Sequence, residues 1–342
     1  MHFIIILLFI YICVCLLYEP YVENRRNHKW NLFFISSVLV VICTFRPIDM
    51  KDAQNYINDY LLVGFESRFE VGYQLLADTC RHIIGDYHFL FFTVAAFSVF
   101  IKLKAINCIS LSVYGSLCVY VSNFFVLHEM IQIRAGIASG LVLWAIKYAI
   151  ERKGLKFLCI CALALTFHQT ALIFFPLWYI VRVHANRYVL LSVIPLCYLL
   201  YFSGFSLGHL AANIPNEDFQ RLWKAYELEM AKGIGTDINL FNVLMLIRIA
   251  ICSFLIFNID LVKSKFPDVG CWIAVYILSL MIFILMSDVP VVAFRLSEMF
   301  QIVEVIIFPL LIYTFRPKLL AMVVLILFII PFLISTIMLN FS

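Results

Sequence analysis

Apolar stretches recur along the whole chain and are separated by short polar segments. Most of the stretches approach the roughly 20 residues with which a helix crosses about 30 Å of hydrocarbon. The ten-residue alternation typical of a membrane β-barrel is missing from the sequence. The pattern therefore predicts an all-α, polytopic integral membrane protein with about 12 transmembrane or half-transmembrane helices. The predicted spans are residues 2–18, 31–45, 88–101, 108–127, 135–150, 155–167, 169–181, 188–203, 240–258, 270–287, 297–315 and 319–340.

The composition strengthens this prediction. Hydrophobic residues make up 64% of the chain and charged residues 13%, with a mean hydropathy of +0.99, whereas soluble domains are roughly 45–50% apolar and 25% charged. Because the sequence holds no repeat of fixed period and no polar stretch of domain size, we expect residues 1–342 to form a single transmembrane domain. The net charge of +4 is dispersed among loops, so we expect no nucleic acid partner.

The eleven cysteines are interpreted as packing residues. Pairs such as Cys13 with Cys15 and Cys159 with Cys161 lie inside apolar runs, without a nearby histidine or carboxylate to complete a metal site. No His-x-x-His pattern accompanies the histidines. We therefore expect no metal and no cofactor, although a divalent cation held by outer-loop carboxylates stays open.

The basic residues orient the predicted spans, because inner loops of membrane proteins are enriched in lysine and arginine. The first span has no basic residue before it and no cleavage site after it, so we expect it to stay uncleaved with its N-terminus outside. Most basic residues then fall in inner loops, Lys102 and Lys104 among them. The two long loops, residues 46–87 and 204–239, lie outside, and the second is expected to contain an amphipathic helix over 217–232. Longer loops outside place the function there.

This orientation depends on how residues 155–181 are divided. They form either one strongly tilted helix or two half-spans that meet at His168. A single helix would move Arg182, Arg187 and every later loop to the other side of the membrane, against the charge bias. We therefore predict a break at His168, where the run is least apolar and Pro176 follows closely.

Candidate chemistry gathers at the outer ends of the spans. Arg46, Arg134 and Arg295 fall there, and a guanidinium group is well suited to phosphate oxygens; the alternative is that such arginines only anchor helix ends at the interface. His168 falls on the same side, as a base or as a hydrogen-bonded core residue. Gly136 and Gly140 lie four residues apart in a span, a spacing typical of helix packing.

The first outer loop adds acids and tyrosines to these candidates. Asp52 and Tyr56 are expected to share one helical face, since they are four residues apart. Glu70 and Tyr73 follow in the segment Glu70-Val71-Gly72-Tyr73. The alternative interpretation is that a loop in water simply carries charge.

Taken in order, these segments resemble the EpsG family of bacterial Wzy-like polysaccharide polymerases, over roughly residues 44–300. The sequence departs from the common family pattern at Met50-Lys51-Asp52, where the family often has Gly-x-Asp, and at Val71, where it often has proline. The matching segments are Arg46, Asp52 with Tyr56, Glu70 to Tyr73, Gln132-Ile133-Arg134-Ala135-Gly136-Ile137-Ala138, Phe167-His168-Gln169-Thr170-Ala171-Leu172-Ile173 and Phe294-Arg295-Leu296.

The resemblance implies a membrane glycosyltransferase of GT-C-like architecture in the bacterial cytoplasmic (inner) membrane. It would join oligosaccharide repeat units, carried on undecaprenyl diphosphate, into O-antigen, capsule or exopolysaccharide on the outer face. Its partners would be the lipid-linked substrate, membrane lipid, and a chain-length regulator and flippase. The implied roles are diphosphate binding by Arg46, Arg134 and Arg295, proton removal by His168, Glu70 or Asp52, and sugar stacking by Tyr56 and Tyr73.

Three other functions compete with this one. A flippase or transporter of the same lipid would place charges on both sides of the membrane midplane, whereas these charges gather at the outer ends, which favours an enzyme. A ligase shares the donor and is not separated from a polymerase by residue spacing. An envelope assembly protein would leave the ordered arginines and histidine without a reason.

Overall fold

The computed structural model describes residues 1–19, 25–61, 69–182, 186–208, 228 and 238–341. Over these ranges the chain is helical and contains no strand. It divides into two compact units: unit 1 comprises Met1–Trp178 and Glu304–Ser342, and unit 2 comprises Tyr179–Val303. A single domain over residues 1–342 stays a prediction. Nearly all of the second outer loop, including the helix predicted over 217–232, lies outside the described residues.

The helices follow one another with short connections. In chain order they are α1 (His2–Tyr18), α2 (Arg25–Thr44), α3 (Ala53–Leu61), α4 (Val71–Ile83), α5 (Tyr87–Ile109), α6 (Val113–Val119), two π-helical segments (Tyr120–Phe124 and Val126–Ile131), α7 (Ile133–Ile150), α8 (Gly154–Phe167), a 3₁₀ segment (Gln169–Phe174), α9 (Leu177–Ile180), α10 (Arg187–Phe202), α11 (Val243–Phe257), α12 (Ile259–Lys263), α13 (Val269–Leu285), α14 (Pro290–Gln301), α15 (Glu304–Ile307), a second 3₁₀ segment (Phe308–Tyr313) and α16 (Lys318–Phe341).

Four of the described helical stretches are long and apolar enough to cross a membrane: α5, α7, Pro290–Tyr313 and α16. Shorter apolar helices, α1, α8, α10, α11 and α13 among them, accompany these four. The chain therefore has the architecture of a multi-pass helical membrane protein, as predicted. The total of about 12 spanning or half-spanning helices stays a prediction.

In unit 1, helix α5 packs between α2 and α7. Small residues make the close contact with α7 possible: a Cβ added to Gly140 would lie 3.0 Å from Ile101 Cγ2 and 3.1 Å from Lys102 Cγ, and one added to Gly136 would lie 2.1 Å from the backbone oxygen of His128. The prediction that these two glycines form a helix-packing face is confirmed.

Lys102 lies inside this packed region, which corrects the expectation that it belongs to an inner loop. Helix α5 continues past it to Ile109, and its side chain is fully buried. Its ammonium nitrogen lies 2.6 Å from Glu129 Oε1. Because a buried carboxylate neutralises its charge, the lysine can occupy a span interior, and its position says nothing about sidedness.

Helices α7 and α8 form an antiparallel hairpin through a connection of three residues. The start of α7 therefore lies beside the end of α8. Helix α8 ends at Phe167, and His168 adopts an extended conformation (φ −155°, ψ 121°) before the 3₁₀ segment begins. The predicted break at His168 is confirmed, and it brings this residue level with Arg134.

In unit 2, helix α13 packs against α10 and α14. Ser279 Oγ donates a hydrogen bond to the backbone oxygen of Ser297 (3.1 Å), and the rings of Phe283 and Phe294 lie 5.2 Å apart. These contacts fix one face of α14. Arg295 lies on this helix and is exposed.

We predict that Gly136→Ala destabilises the protein by at least about 1–3 kcal/mol, because the new Cβ would overlap a backbone oxygen that cannot move alone. The free energy of unfolding in detergent micelles measures this effect. Gly270→Ala is the matched control, since a Cβ at Gly270 meets no atom within 4 Å. Equal stability of the two variants would show that α7 does not pack as described.

Candidate functional site

The carboxylate of Glu70 lies at the centre of the candidate site. Glu70 immediately precedes α4 but makes no capping hydrogen bond to that helix. It pairs instead with Arg134 through Oε2, while Oε1 lies 3.4 Å from His168 Nδ1 and accepts a hydrogen bond from the backbone nitrogen of Gln169 (3.1 Å). One carboxylate thus joins the start of α7 to the break after α8.

A close approach between α4 and α8 brings Glu70 to this position. A Cβ added to Gly72 would lie 2.6 Å from Thr166 Oγ1 and 2.8 Å from the Thr166 backbone oxygen. Only glycine fits between the two backbones without a shift. On the other side of α4, Arg81 donates from Nε (2.9 Å) and Nη2 (2.7 Å) to the backbone oxygen of Tyr60 and ties α4 to α3.

Three aromatic rings enclose the guanidinium group of Arg134. Its central carbon lies 4.3 Å from the Phe69 ring centroid and 6.0 Å from that of Tyr56. Tyr73 packs on both rings at 5.3 and 5.7 Å. Such cation–π contacts hold a guanidinium in a fixed orientation. Tyr56 and Tyr73 are both buried, so their predicted role in sugar stacking stays a prediction.

The pKa of Glu70 shows how the site distributes charge. Burial by itself raises this pKa, but the hydrogen bond from His168, the positive charge of Arg134 and backbone hydrogen bonds lower it to about 2. Glu70 is therefore ionised at neutral pH and is a weak base. The pKa values of the Tyr56 and Tyr73 hydroxyls are raised, in both cases chiefly by burial, so both stay protonated.

Several buried polar atoms around Glu70 make no hydrogen bond. They are Tyr73 Oη, Arg134 Nε, His168 Nδ1 and Thr170 Oγ1. Buried polar groups in proteins are almost always hydrogen-bonded, and exceptions concentrate where a ligand or water binds. Donors and acceptors of this kind, gathered on one carboxylate, are typical of a site for a polar ligand.

Arg46 and Asp52 do not contact Glu70. Arg46 is buried, its Nη1 donates to the backbone oxygens of Met130 (2.7 Å) and Glu129 (3.4 Å), and its guanidinium carbon lies 3.5 Å from the Phe91 ring centroid. Its binding of an anion stays a prediction.

Asp52 precedes α3 and has a positive φ of 64°, a conformation that aspartate tolerates better than most residues. Its Oδ1 accepts a hydrogen bond from Asn55 (3.2 Å). The expectation that Asp52 and Tyr56 share a helical face is wrong, because the helix begins only at Ala53.

Arg295 belongs to unit 2. Within unit 1, the predicted site residues that the structure brings together around Glu70 are Arg134, His168, Tyr56 and Tyr73. In the part of the chain that the structure describes, no cluster of three or more histidine, cysteine, aspartate or glutamate side chains is placed to hold a metal.

Two features of the site escaped the sequence analysis. The backbone nitrogen of Gln169 acts through its position after the helix break, which no side-chain pattern shows. The buried pair of Lys102 and Glu129 was announced by an acid in the middle of the apolar run over 113–131, a rare placement that usually marks a paired charge.

The fold and this site define a multi-pass helical membrane protein with an arginine, a glutamate and a histidine joined at the helix ends. The EpsG family model matches residues 29–341, nearly the whole chain, so the protein belongs to the EpsG family. This family consists of polymerase-type membrane proteins of exopolysaccharide and O-antigen biosynthesis. No curated protein and no solved structure matches the chain.

We predict that Glu70→Gln changes how stability depends on pH. The folded pKa of about 2 lies below the ordinary value of 4.5, so the ionised carboxylate stabilises the protein above pH 4.5 and this contribution is lost as the pH falls towards 2. The melting temperature of the wild type should exceed that of Glu70→Gln at pH 7, and the difference should shrink between pH 5 and pH 3.

The matched control is Asp78→Asn, which removes an exposed carboxylate from the same helix. This variant should follow the wild-type profile. A constant difference between wild type and Glu70→Gln over the whole pH range would contradict the assigned pKa.

Proposed function

We propose that this protein is a membrane glycosyltransferase that polymerises oligosaccharide repeat units carried on undecaprenyl diphosphate. It acts on the outer face of the bacterial cytoplasmic membrane and produces O-antigen, capsule or exopolysaccharide. Membership of the EpsG family supports a polymerase. The observation that carries the assignment of residues is the shared carboxylate of Glu70, which joins a histidine to an arginine. The GT-C-like architecture is part of the same proposal.

The reaction needs a base and a stabilised leaving group. The acceptor hydroxyl oxygen attacks the anomeric carbon of the donor sugar, and the bond from this carbon to the diphosphate oxygen breaks with its electron pair. The hydroxyl proton passes to the base. The lipid diphosphate leaves as an anion, so positive charge near its oxygens lowers the barrier.

His168 is the base that the geometry favours among the three predicted candidates. With Nδ1 facing Glu70, the imidazole keeps its proton on that nitrogen and leaves Nε2 as the acceptor. Glu70 is too weak a base, with a pKa of about 2, and orients the ring instead. Asp52 hydrogen-bonds Asn55 and lacks a comparable partner for catalysis.

Arg134 is the residue that we assign to the diphosphate. One guanidinium nitrogen pairs with Glu70, while the buried Nε makes no hydrogen bond in the protein. A fixed guanidinium with a free donor suits a phosphate oxygen. We assign Arg46 to the support of the backbone before α7, and keep Arg295 as a second diphosphate ligand contributed by unit 2.

A flippase and a ligase remain the competing functions. A flippase needs no base, so it gives no reason for a histidine oriented by a carboxylate. A ligase uses the same chemistry on another acceptor. A chain-length regulator and a flippase are the proposed partners of the polymerase. Incubation of the purified protein with lipid-diphosphate-linked repeats alone distinguishes these functions, since only a polymerase lengthens them without a second acceptor.

We predict that His168→Asn lowers the rate of chain lengthening by about 100-fold or more, the usual cost of losing a general base. Product length on gels, normalised to the amount of folded protein, measures this rate. His88→Asn is the matched control, because His88 also lies beside a carboxylate, with Nδ1 3.1 Å from Asp86 Oδ1, but is exposed. Equal lengthening by both variants would remove His168 from the mechanism.

We predict that Arg134→Gln lowers kcat by about 100- to 1000-fold, because the transition-state charge on the diphosphate loses its partner. Arg134→Lys should retain part of the activity, since the charge remains but the planar fork is lost. Arg187→Lys serves as control at an exposed arginine that also pairs with a carboxylate, Asp260. A normal kcat in Arg134→Gln would exclude this arginine from the reaction.

A further inference from the structure

A second group of charges lies wholly inside unit 1, and the proposed reaction does not use it. The ammonium group of Lys102 donates to three acceptors on three helical elements: Ser98 Oγ at 2.9 Å, Glu129 Oε1 at 2.6 Å and the Gly136 backbone oxygen at 2.5 Å. Glu129 Oε1 also accepts from the Tyr120 hydroxyl at 2.8 Å. Neither charged side chain reaches solvent to any appreciable extent.

Stability alone does not explain such a pair. Removing two charges from water is costly, and apolar residues of similar size often replace a buried ion pair without loss of stability. A charge within a membrane span is more expensive still and usually has a functional reason. The location of the pair therefore indicates its role.

The pair holds the backbone on either side of Arg134. Glu129 lies in the π-helical segment that ends before Gln132, and Gly136 lies in the first turn of α7. From another direction, Arg46 binds the backbone oxygens of Glu129 and Met130. Two buried cations thus fix the chain from 129 to 136, the stretch that carries Arg134. Irregular π-helical turns at such points are common near functional sites.

We propose that Lys102 and Glu129 are positioning residues, which set the guanidinium group of Arg134 against Glu70 and so prepare it for the diphosphate of the substrate. This inference rests on the proposed function for its catalytic consequence. Its structural part, the coupling between the buried pair and the Arg134–Glu70 contact, stands without it.

The test is the paired neutral variant Lys102→Met/Glu129→Gln. It removes both charges at nearly constant volume and keeps an acceptor for the Tyr120 hydroxyl. We expect a folded protein whose kcat for chain lengthening falls by about 10- to 100-fold, as a displaced catalytic group would cause. Glu304→Gln is the matched control: Glu304 is another fully buried carboxylate of unit 1, bound by Asn123 at 2.7 Å, and its replacement should leave kcat unchanged.

A double-mutant cycle gives a measurement that does not need activity. Glu70→Gln is introduced into the wild type and into the paired variant, and the loss of melting temperature is compared. If the pair positions Arg134, the loss should be smaller in the paired variant, because the two changes act on one contact. The Glu304→Gln background should show the full loss.

The outcomes separate the two proposals. A paired variant with wild-type kcat and an undiminished Glu70→Gln effect would overturn the positioning role. An inactive wild type would refute the proposed function, while the cycle would still decide the coupling. If the paired variant does not fold, Tyr120→Phe takes its place: it removes one hydrogen bond from Glu129 and should show the same changes in weaker form, and unchanged values would overturn the inference.

Discussion

Every charge inside an apolar helical bundle needs a partner, and this constraint organises unit 1. Water does not reach these groups, so an unpaired charge would cost several kcal/mol. Lys102 meets Glu129, and Arg134 meets Glu70. Because the partners lie on different helices, pairing fixes how the helices lie against each other. The bundle is thus held in register by polar contacts as well as by apolar packing.

The same constraint explains why the candidate site lies where helices are interrupted. His168 follows the end of α8, and the π-helical segment over 126–131 ends just before α7. Helix ends expose backbone groups that regular helices use internally. Here they bind side chains: the Gln169 nitrogen binds Glu70, and the oxygens of Glu129 and Met130 bind Arg46. Interruptions in the helices therefore provide the polar environment that a charged substrate requires.

Glycines set the distances at which these contacts are possible. Gly72 allows α4 to approach Thr166, and Gly136 and Gly140 allow α7 to approach its neighbours. A methyl group at Gly72 or Gly136 would push two backbones apart and separate the paired charges. Packing and chemistry are consequently linked in this protein, since the residues with the smallest side chains decide whether Glu70 reaches both Arg134 and His168.

The sequence by itself determined the all-helical membrane architecture, the break at His168 and the packing role of the glycine pair, because each follows from local pattern. It also selected Arg134, Glu70 and His168 as candidates. Only the tertiary structure decided that Lys102 is a buried partner of Glu129 and no loop residue, and that Arg46 binds backbone. Pairing between residues far apart in the chain depends on which helices meet, and hydropathy and charge counts carry no information about that.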